Sequence, residues 1–205
     1  MRLPGRAPMP PIKVVSAYRM RSPGHCGRGA EFPQDAREKE DDSMSSANSS
    51  VLVAYFSHSG TTREAAKQVK EMTGGDLFEI VAAESYPRDY GAVVERAKKE
   101  LAEKRLPELK EGVEDMTRYG TVFLGYPNWC DAMPRPVAAF LARHDISGKR
   151  VAPFCTHEGT GLGRSVAEVR ELCPRSMVLH GLAVRGGNAG NAQKEISGWL
   201  TNIIP

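Results

Sequence analysis

Val51-Leu52-Val53-Ala54-Tyr55-Phe56 is an unbroken apolar run of strand length, and Ser57-His58-Ser59-Gly60-Thr61-Thr62 follows it directly. An apolar run without polar alternation suits a strand buried on both faces, as in a parallel sheet covered by helices. Beyond it, Ala65, Ala66, Val69 and Met72 recur at helical spacing, with Glu64, Lys67, Lys70 and Glu71 on the other face. Gly74-Gly75 ends that helix.

The cycle then repeats. Leu77 to Val81 reads as a second strand, and Tyr90, Val93, Val94, Ala97 and Leu101 mark a second helix. Thr121 to Gly125 and Val151 to Thr156 read as strands three and four, followed by helices over 136–143 and 166–172. Met177 to Leu182 reads as strand five, and Ala192, Ile196, Trp199, Leu200 and Ile203 mark a last helix. Strands alternating with helices imply an α/β fold with a doubly wound parallel sheet, because crossovers are right-handed. Ligands in such sheets sit at the carboxyl ends of the strands, near the switch in strand order. The loops after strands one, three and four are therefore where chemistry is expected.

The first loop, Ser57 to Thr62, holds four hydroxyls and a glycine and opens a helix. Free N–H groups and the helix dipole make such a turn an anion site, and the hydroxyls add donors. A Ser or Thr here also serves as a helix cap. Four hydroxyls in six residues, at this place in the fold, favour a phosphate. The loop lacks the Lys of a Walker A loop and the GxGxxG of a dinucleotide loop. A phosphate monoester suits its neutral donors.

The loop after strand three runs Gly125-Tyr126-Pro127-Asn128-Trp129-Cys130-Asp131-Ala132-Met133-Pro134. Trp129 is a candidate stacking platform for a planar ring, or else packs on the next helix. Pro127 stiffens the turn, and Asn128 offers donors and acceptors to a polar ring edge. The loop after strand four runs from Thr156 and His157 through Glu158, Gly159, Gly161 and Gly163 to Arg164 and Ser165. Its alternate glycines let backbone approach a flat ligand closely.

Together these stretches, with Tyr86-Pro87-Arg88-Asp89-Tyr90, resemble the flavodoxin-like family that binds flavin mononucleotide (FMN), over roughly residues 50–205. The resemblance implies a five-stranded sheet in the order 2-1-3-4-5. It assigns the FMN phosphate to Ser57, His58, Ser59, Gly60, Thr61 and Thr62. It assigns the ribityl chain and isoalloxazine to Tyr126, Pro127, Asn128 and Trp129 and to Thr156, His157, Glu158, Gly159, Gly161 and Gly163. Relatives often carry a second Trp where this chain has Cys130.

Two roles follow from the resemblance. One is an oxidoreductase passing electrons or hydride through FMN, from a nicotinamide donor to a quinone-like acceptor. The other is a one-electron carrier serving redox partner proteins. Electron-carrying flavodoxins are usually strongly acidic and place an aromatic in the second flavin loop. This chain has a formal net charge of +3 and His157-Glu158-Gly159 there. No residue stands out as catalytic. A phosphorylation receiver domain shares the strand order, but it needs an acidic cluster after strand one to hold Mg²⁺, where this chain has Ser57-His58-Ser59.

Composition narrows the rest. A mild positive surplus does not point to nucleic acid, and no stretch is long and apolar enough to span a bilayer. Cys26, Cys130, Cys155 and Cys173 form no CxxC or metal-ligand spacing, which fits a reducing cytoplasm and no metal. Cys130 and Cys155 fall near the expected flavin edge and read as small apolar residues before redox groups. Residues 1–49 carry the prolines and charge blocks of a segment unable to bury a core, so disorder is expected there. Met44, followed by a short polar run, is a plausible true start, with residues 50–205 as the domain.

Overall fold

The computed structural model describes residues 50–203. The expectations for residues 1–49, including the start at Met44, lie outside the described residues. In chain order the elements are β1 (Ser50–Tyr55), α1 (Thr61–Thr73), β2 (Asp76–Glu79), α2 (Tyr90–Ala102), β3 (Tyr119–Pro127), α3 (Arg135–Arg143), β4 (Arg150–His157), α4 (Ser165–Leu172), β5 (Met177–Val178), β6 (Leu182–Arg185) and α5 (Gln193–Ile203).

The sheet is parallel throughout, in the order β2-β1-β3-β4-β5, with β6 also pairing β4. The expected order is what forms. Alternating side chains of β1 explain why it is apolar from Val51 onward. Leu52, Ala54 and Phe56 enter one core with Val137, Phe140 and Leu141 of α3 and Val169 of α4. Val53 and Tyr55 enter the other with Ala65, Ala66 and Val69 of α1 and Ile196, Trp199 and Leu200 of α5. Each strand face has a helix layer, so neither is left wet.

Two details differ from the sequence reading. The fifth strand is not one run. β5 pairs Arg150 and Val151 at the start of β4, and β6 pairs Phe154 to His157 at its end. Between them the His180 carbonyl leaves the ladder and accepts from the Trp199 indole N–H at 2.8 Å. β3 and β4 also run further than expected, because Tyr126 pairs with Cys155 and Pro127 with Thr156. Tyr126, Pro127, Thr156 and His157 are strand residues rather than loop residues, which changes where their side chains go.

Candidate functional site

The loops after β1, β3 and β4 meet at the carboxyl edge of the sheet, where a doubly wound fold has its crevice. Gly60 enters α1 with φ +94°, a backbone that L side chains rarely adopt, and no side chain caps the helix. The turn is closed from inside instead. Ser57 Oγ accepts from the N–H groups of Gly60 at 3.1 Å and Arg63 at 3.3 Å. Ser59 and Thr61 carry hydroxyls 3.0 Å apart on the exposed side of the turn. The N-cap glycine itself offers no capping side chain, and the paired Ser59 and Thr61 hydroxyls stand over the first turn, an arrangement suited to a phosphate. Arg63 turns its guanidinium away, to Glu79 and the Tyr55 hydroxyl. The cradle is therefore neutral, and the dipole supplies its positive character.

Thr62 stands apart from the other hydroxyls. It is buried, and its Oγ1 lies 2.7 Å from Thr156 Oγ1, also buried. Both therefore tie α1 to β4 from beneath the crevice. Tyr126 is likewise fully buried and donates its hydroxyl to Ser165 Oγ at 3.0 Å. Burial holds that phenol protonated well above its ordinary range. For Tyr126, only backbone is left to face a ligand.

Asn128 joins the second and third loops. Its N–H donates to the Thr156 carbonyl at 2.8 Å, and its Nδ2 donates to Thr160 Oγ1 at 3.1 Å and the Gly161 carbonyl at 2.6 Å. Its Oδ1 is buried without a protein partner, as is His157 Nδ1. Buried polar atoms are nearly always satisfied, so two orphans at one crevice fit a ligand with polar ring edges or hydroxyls. Pro127 is half-buried at the strand end, and Gly159 and Gly161 lie in the third loop. Glu158 turns elsewhere. Its carboxylate occupies the space beside Gly186, at the end of β6, that a side chain there would fill.

After Trp129 the chain reverses in a tight hairpin turn. Trp129 and Ala132 exchange both backbone hydrogen bonds, at 3.1 and 3.0 Å. Cys130 and Asp131 between them have φ +54° and +58°, the left-handed pair of a type I′ turn. The Asp131 carbonyl accepts from Arg164 N–H at 2.9 Å. A Cβ on Gly163 would lie 2.6 Å from that oxygen. Gly163 is thus required for the loops after β3 and β4 to dock.

Trp129 is half-exposed and sits in a cluster of rings. Phe56 is 5.4 Å away, His58 5.8 Å and Tyr86 5.1 Å, all edge-on. His58 therefore points toward the aromatic end of the crevice. Tyr86 was not among the expected site residues, although it lies in a stretch that carried the resemblance. It follows β2, another strand whose carboxyl end faces the crevice, and that was the available signal.

The sulfurs divide cleanly. Cys130 is exposed on the turn, while Cys155 is buried beneath the loop and donates to the Gly161 carbonyl. Burial pushes the Cys155 thiol up to about 12, so it stays protonated and inert.

A family profile described as flavodoxin matches residues 50–203. The chain is similar to a candidate flavoprotein from Bacteroides eggerthii, at 34% identity over 77% of this chain and 99% of that one, with TM-score 0.69. It is similar to a candidate flavoprotein from Bacteroides uniformis, at 29% identity over 74% and 97%, with TM-score 0.67. A flavoprotein from Lactobacillus acidophilus, crystallised in complex with FMN, shares the fold at 23% identity over 74% and 98%, with TM-score 0.61. No curated protein matches the chain. Among the described residues no helix is long and apolar enough to cross a membrane.

Proposed function

The chain belongs to the flavodoxin family, and from that premise we propose that it binds FMN at this crevice and acts as an FMN-dependent oxidoreductase. The observation that carries the reading is the α1 N-terminus behind Gly60, with the Ser59 and Thr61 hydroxyls over it, on the same sheet edge as the Trp129 ring, which His58 of that turn approaches to 5.8 Å. The helix N-terminus suits a phosphate monoester and the indole a planar ring.

When bound, FMN supplies the redox chemistry, accepting and releasing hydride or electrons. The chain supplies the binding and the surroundings. First-turn N–H groups of α1 and the Ser59 and Thr61 hydroxyls hold the phosphate. Ser57 keeps the turn closed, and the buried Thr62–Thr156 contact keeps α1 against β4. The Asn128 Oδ1 and His157 Nδ1 atoms offer hydrogen bonds to the ribityl chain or the polar edge of the ring. The backbone N–H groups of Gly159, Gly161 and Gly163 would add donors to that edge. Trp129 and its neighbours exclude water from one side of the ring.

The third loop carries His157, Glu158 and glycines and no aromatic, which leaves the opposite side accessible. That favours an enzyme taking hydride from a nicotinamide donor and passing it to a quinone-like acceptor in a cytoplasmic setting. The net charge of +3 lacks the acidic surface expected of a carrier that docks on redox proteins. The test is anaerobic mixing of the FMN-loaded protein with NADH or NADPH, followed by a quinone. Bleaching by the nicotinamide and recovery with the quinone, over many turnovers, supports the enzyme. Failure to bleach, with two resolved one-electron steps in a potentiometric titration, supports the carrier instead.

A further inference from the structure

Tyr86 is the half-buried ring of a connection between β2 and α2, and it is held more firmly than packing requires. Its hydroxyl donates to the carboxylate of Glu100, which is 4% exposed on α2. Arg96, one helical turn earlier, donates through Nε to the same carboxylate at 2.9 Å. Its guanidinium lies over the Tyr86 ring, 4.2 Å from the centroid. Arg96 also reaches back to the Glu84 carboxylate at 3.2 Å and the Ser85 carbonyl at 3.0 Å. Tyr86 is thus fixed at its hydroxyl, over its ring and through the backbone just before it.

A buried carboxylate–guanidinium pair is weak evidence for stability, because desolvation offsets much of the Coulomb attraction. Apolar residues of like volume would serve the fold as well. What this pair does is select one orientation for one ring. That ring projects its far side toward Trp129, with centroids 5.1 Å apart and planes at 66°, and toward His58 at 6.5 Å. Burial and the hydrogen bond to Glu100 keep the phenol protonated far above its ordinary range. Its donation to Glu100 therefore persists across the working pH.

We propose that Tyr86 contacts the flavin ring as a second wall beside Trp129, and that Glu100 is a positioning residue acting through the Tyr86 hydroxyl. The assignment rests on the FMN reading above. It adds a residue from the β2–α2 connection to a crevice otherwise built from the ends of β1, β3 and β4. It also explains why α2 carries a buried charge facing no partner but Tyr86 and Arg96.

The experiment compares wild type with Tyr86→Ala, Tyr86→Phe, Glu100→Gln and the Tyr86→Phe/Glu100→Gln pair, with the exposed Tyr90→Ala as control. FMN dissociation constants and the visible circular dichroism of bound FMN are measured. Far-UV dichroism and thermal melts check the fold. Tyr86→Ala is expected to weaken FMN about tenfold and to change the flavin dichroism. Tyr86→Phe and Glu100→Gln should each give a smaller change of the same form. Their combination should add little to Tyr86→Phe alone, because the hydroxyl through which Glu100 acts is already gone. Tyr90→Ala should match wild type. Wild-type FMN affinity and flavin dichroism in Tyr86→Ala would overturn the proposal while leaving the cofactor reading intact. A wild type that never binds FMN would overturn both.

Discussion

The hydroxyls of Thr62 and Thr156 stand 2.7 Å apart in a buried seam between the first turn of α1 and the end of β4. The two hydroxyls bond to each other across 94 residues of chain. The contact fixes the start of α1, the proposed phosphate cradle, to the strand from which the third loop departs. Thr62→Val or Thr156→Val alone leaves one buried hydroxyl unsatisfied and should cost about 1–3 kcal/mol in urea unfolding. Changing both removes the orphan, so the double variant should lose clearly less than the sum. Additive losses would show that the two hydroxyls are not coupled.

The turn at Trp129 holds Cys130 and Asp131 in left-handed backbone, where L residues are strained. Asn-Gly is the preferred pair for such a turn. Cys130→Asn with Asp131→Gly should therefore stabilise the fold by about 0.5–1 kcal/mol, read as a higher melting temperature. The Asp131 carbonyl that accepts from Arg164 is backbone and survives the exchange. A lower melting temperature would mean that the side chains contribute more than the strain costs.

Gly163 and Gly159 lie four residues apart in the third loop and should respond oppositely to alanine. At Gly163, with φ +52°, a Cβ would meet the Asp131 carbonyl oxygen at 2.6 Å. At Gly159 it would meet nothing within 4 Å. Gly163→Ala should cost about 1–3 kcal/mol and weaken FMN, since the two loops can no longer dock. Gly159→Ala should stay within about 0.5 kcal/mol of wild type. Denaturant titration of both, with FMN binding, checks the contrast.

Buried acids set the alkaline limit of the fold. Burial raises the Cys155 thiol from its ordinary 9.0 to about 12 and the Cys173 thiol to about 11. Burial also raises the phenols of Tyr55, Tyr86, Tyr119 and Tyr126. Above pH 9 the unfolded chain releases protons that the folded chain keeps, so stability must fall as pH rises. The stabilising effect is whole below the unfolded values and is lost progressively toward the folded ones. Melting temperatures should decline from pH 9 upward, and less steeply in Cys155→Ala. At pH 8, iodoacetamide should label Cys130 and spare Cys155 and Cys173 while the protein stays folded. Equal labelling of all three would contradict the burial argument.

The sheet was legible because β1 is apolar from Val51 to Tyr55 and helical patterns alternate with apolar runs of strand length after it, as in a parallel sheet covered on both faces. The turn proposed to hold the phosphate was legible because hydroxyls and Gly60 sit between that strand and an amphipathic helix. The side-chain directions at Tyr126 and Thr156 were not. Both lie at strand ends, where two extra residues of pairing decide whether a side chain enters the core or the crevice. Periodicity does not fix such boundaries. The split of strand five depends on the Trp199 indole taking the His180 carbonyl, a contact 19 residues distant. The place of the Tyr86 ring is set by Glu100 and Arg96, one helix later, so its proposed role was not legible in the sequence. Long-range side-chain contacts of this kind leave no local pattern.

The most direct test of FMN binding at the α1 cradle is the visible absorption spectrum of the purified protein after incubation with FMN and desalting. The account predicts a retained flavin spectrum at about one FMN per chain. It predicts loss of that spectrum in Ser59→Glu/Thr61→Glu, whose carboxylates repel the phosphate, with the fold intact by far-UV dichroism. A wild-type protein that emerges colourless, or a double variant that keeps the flavin, would contradict it.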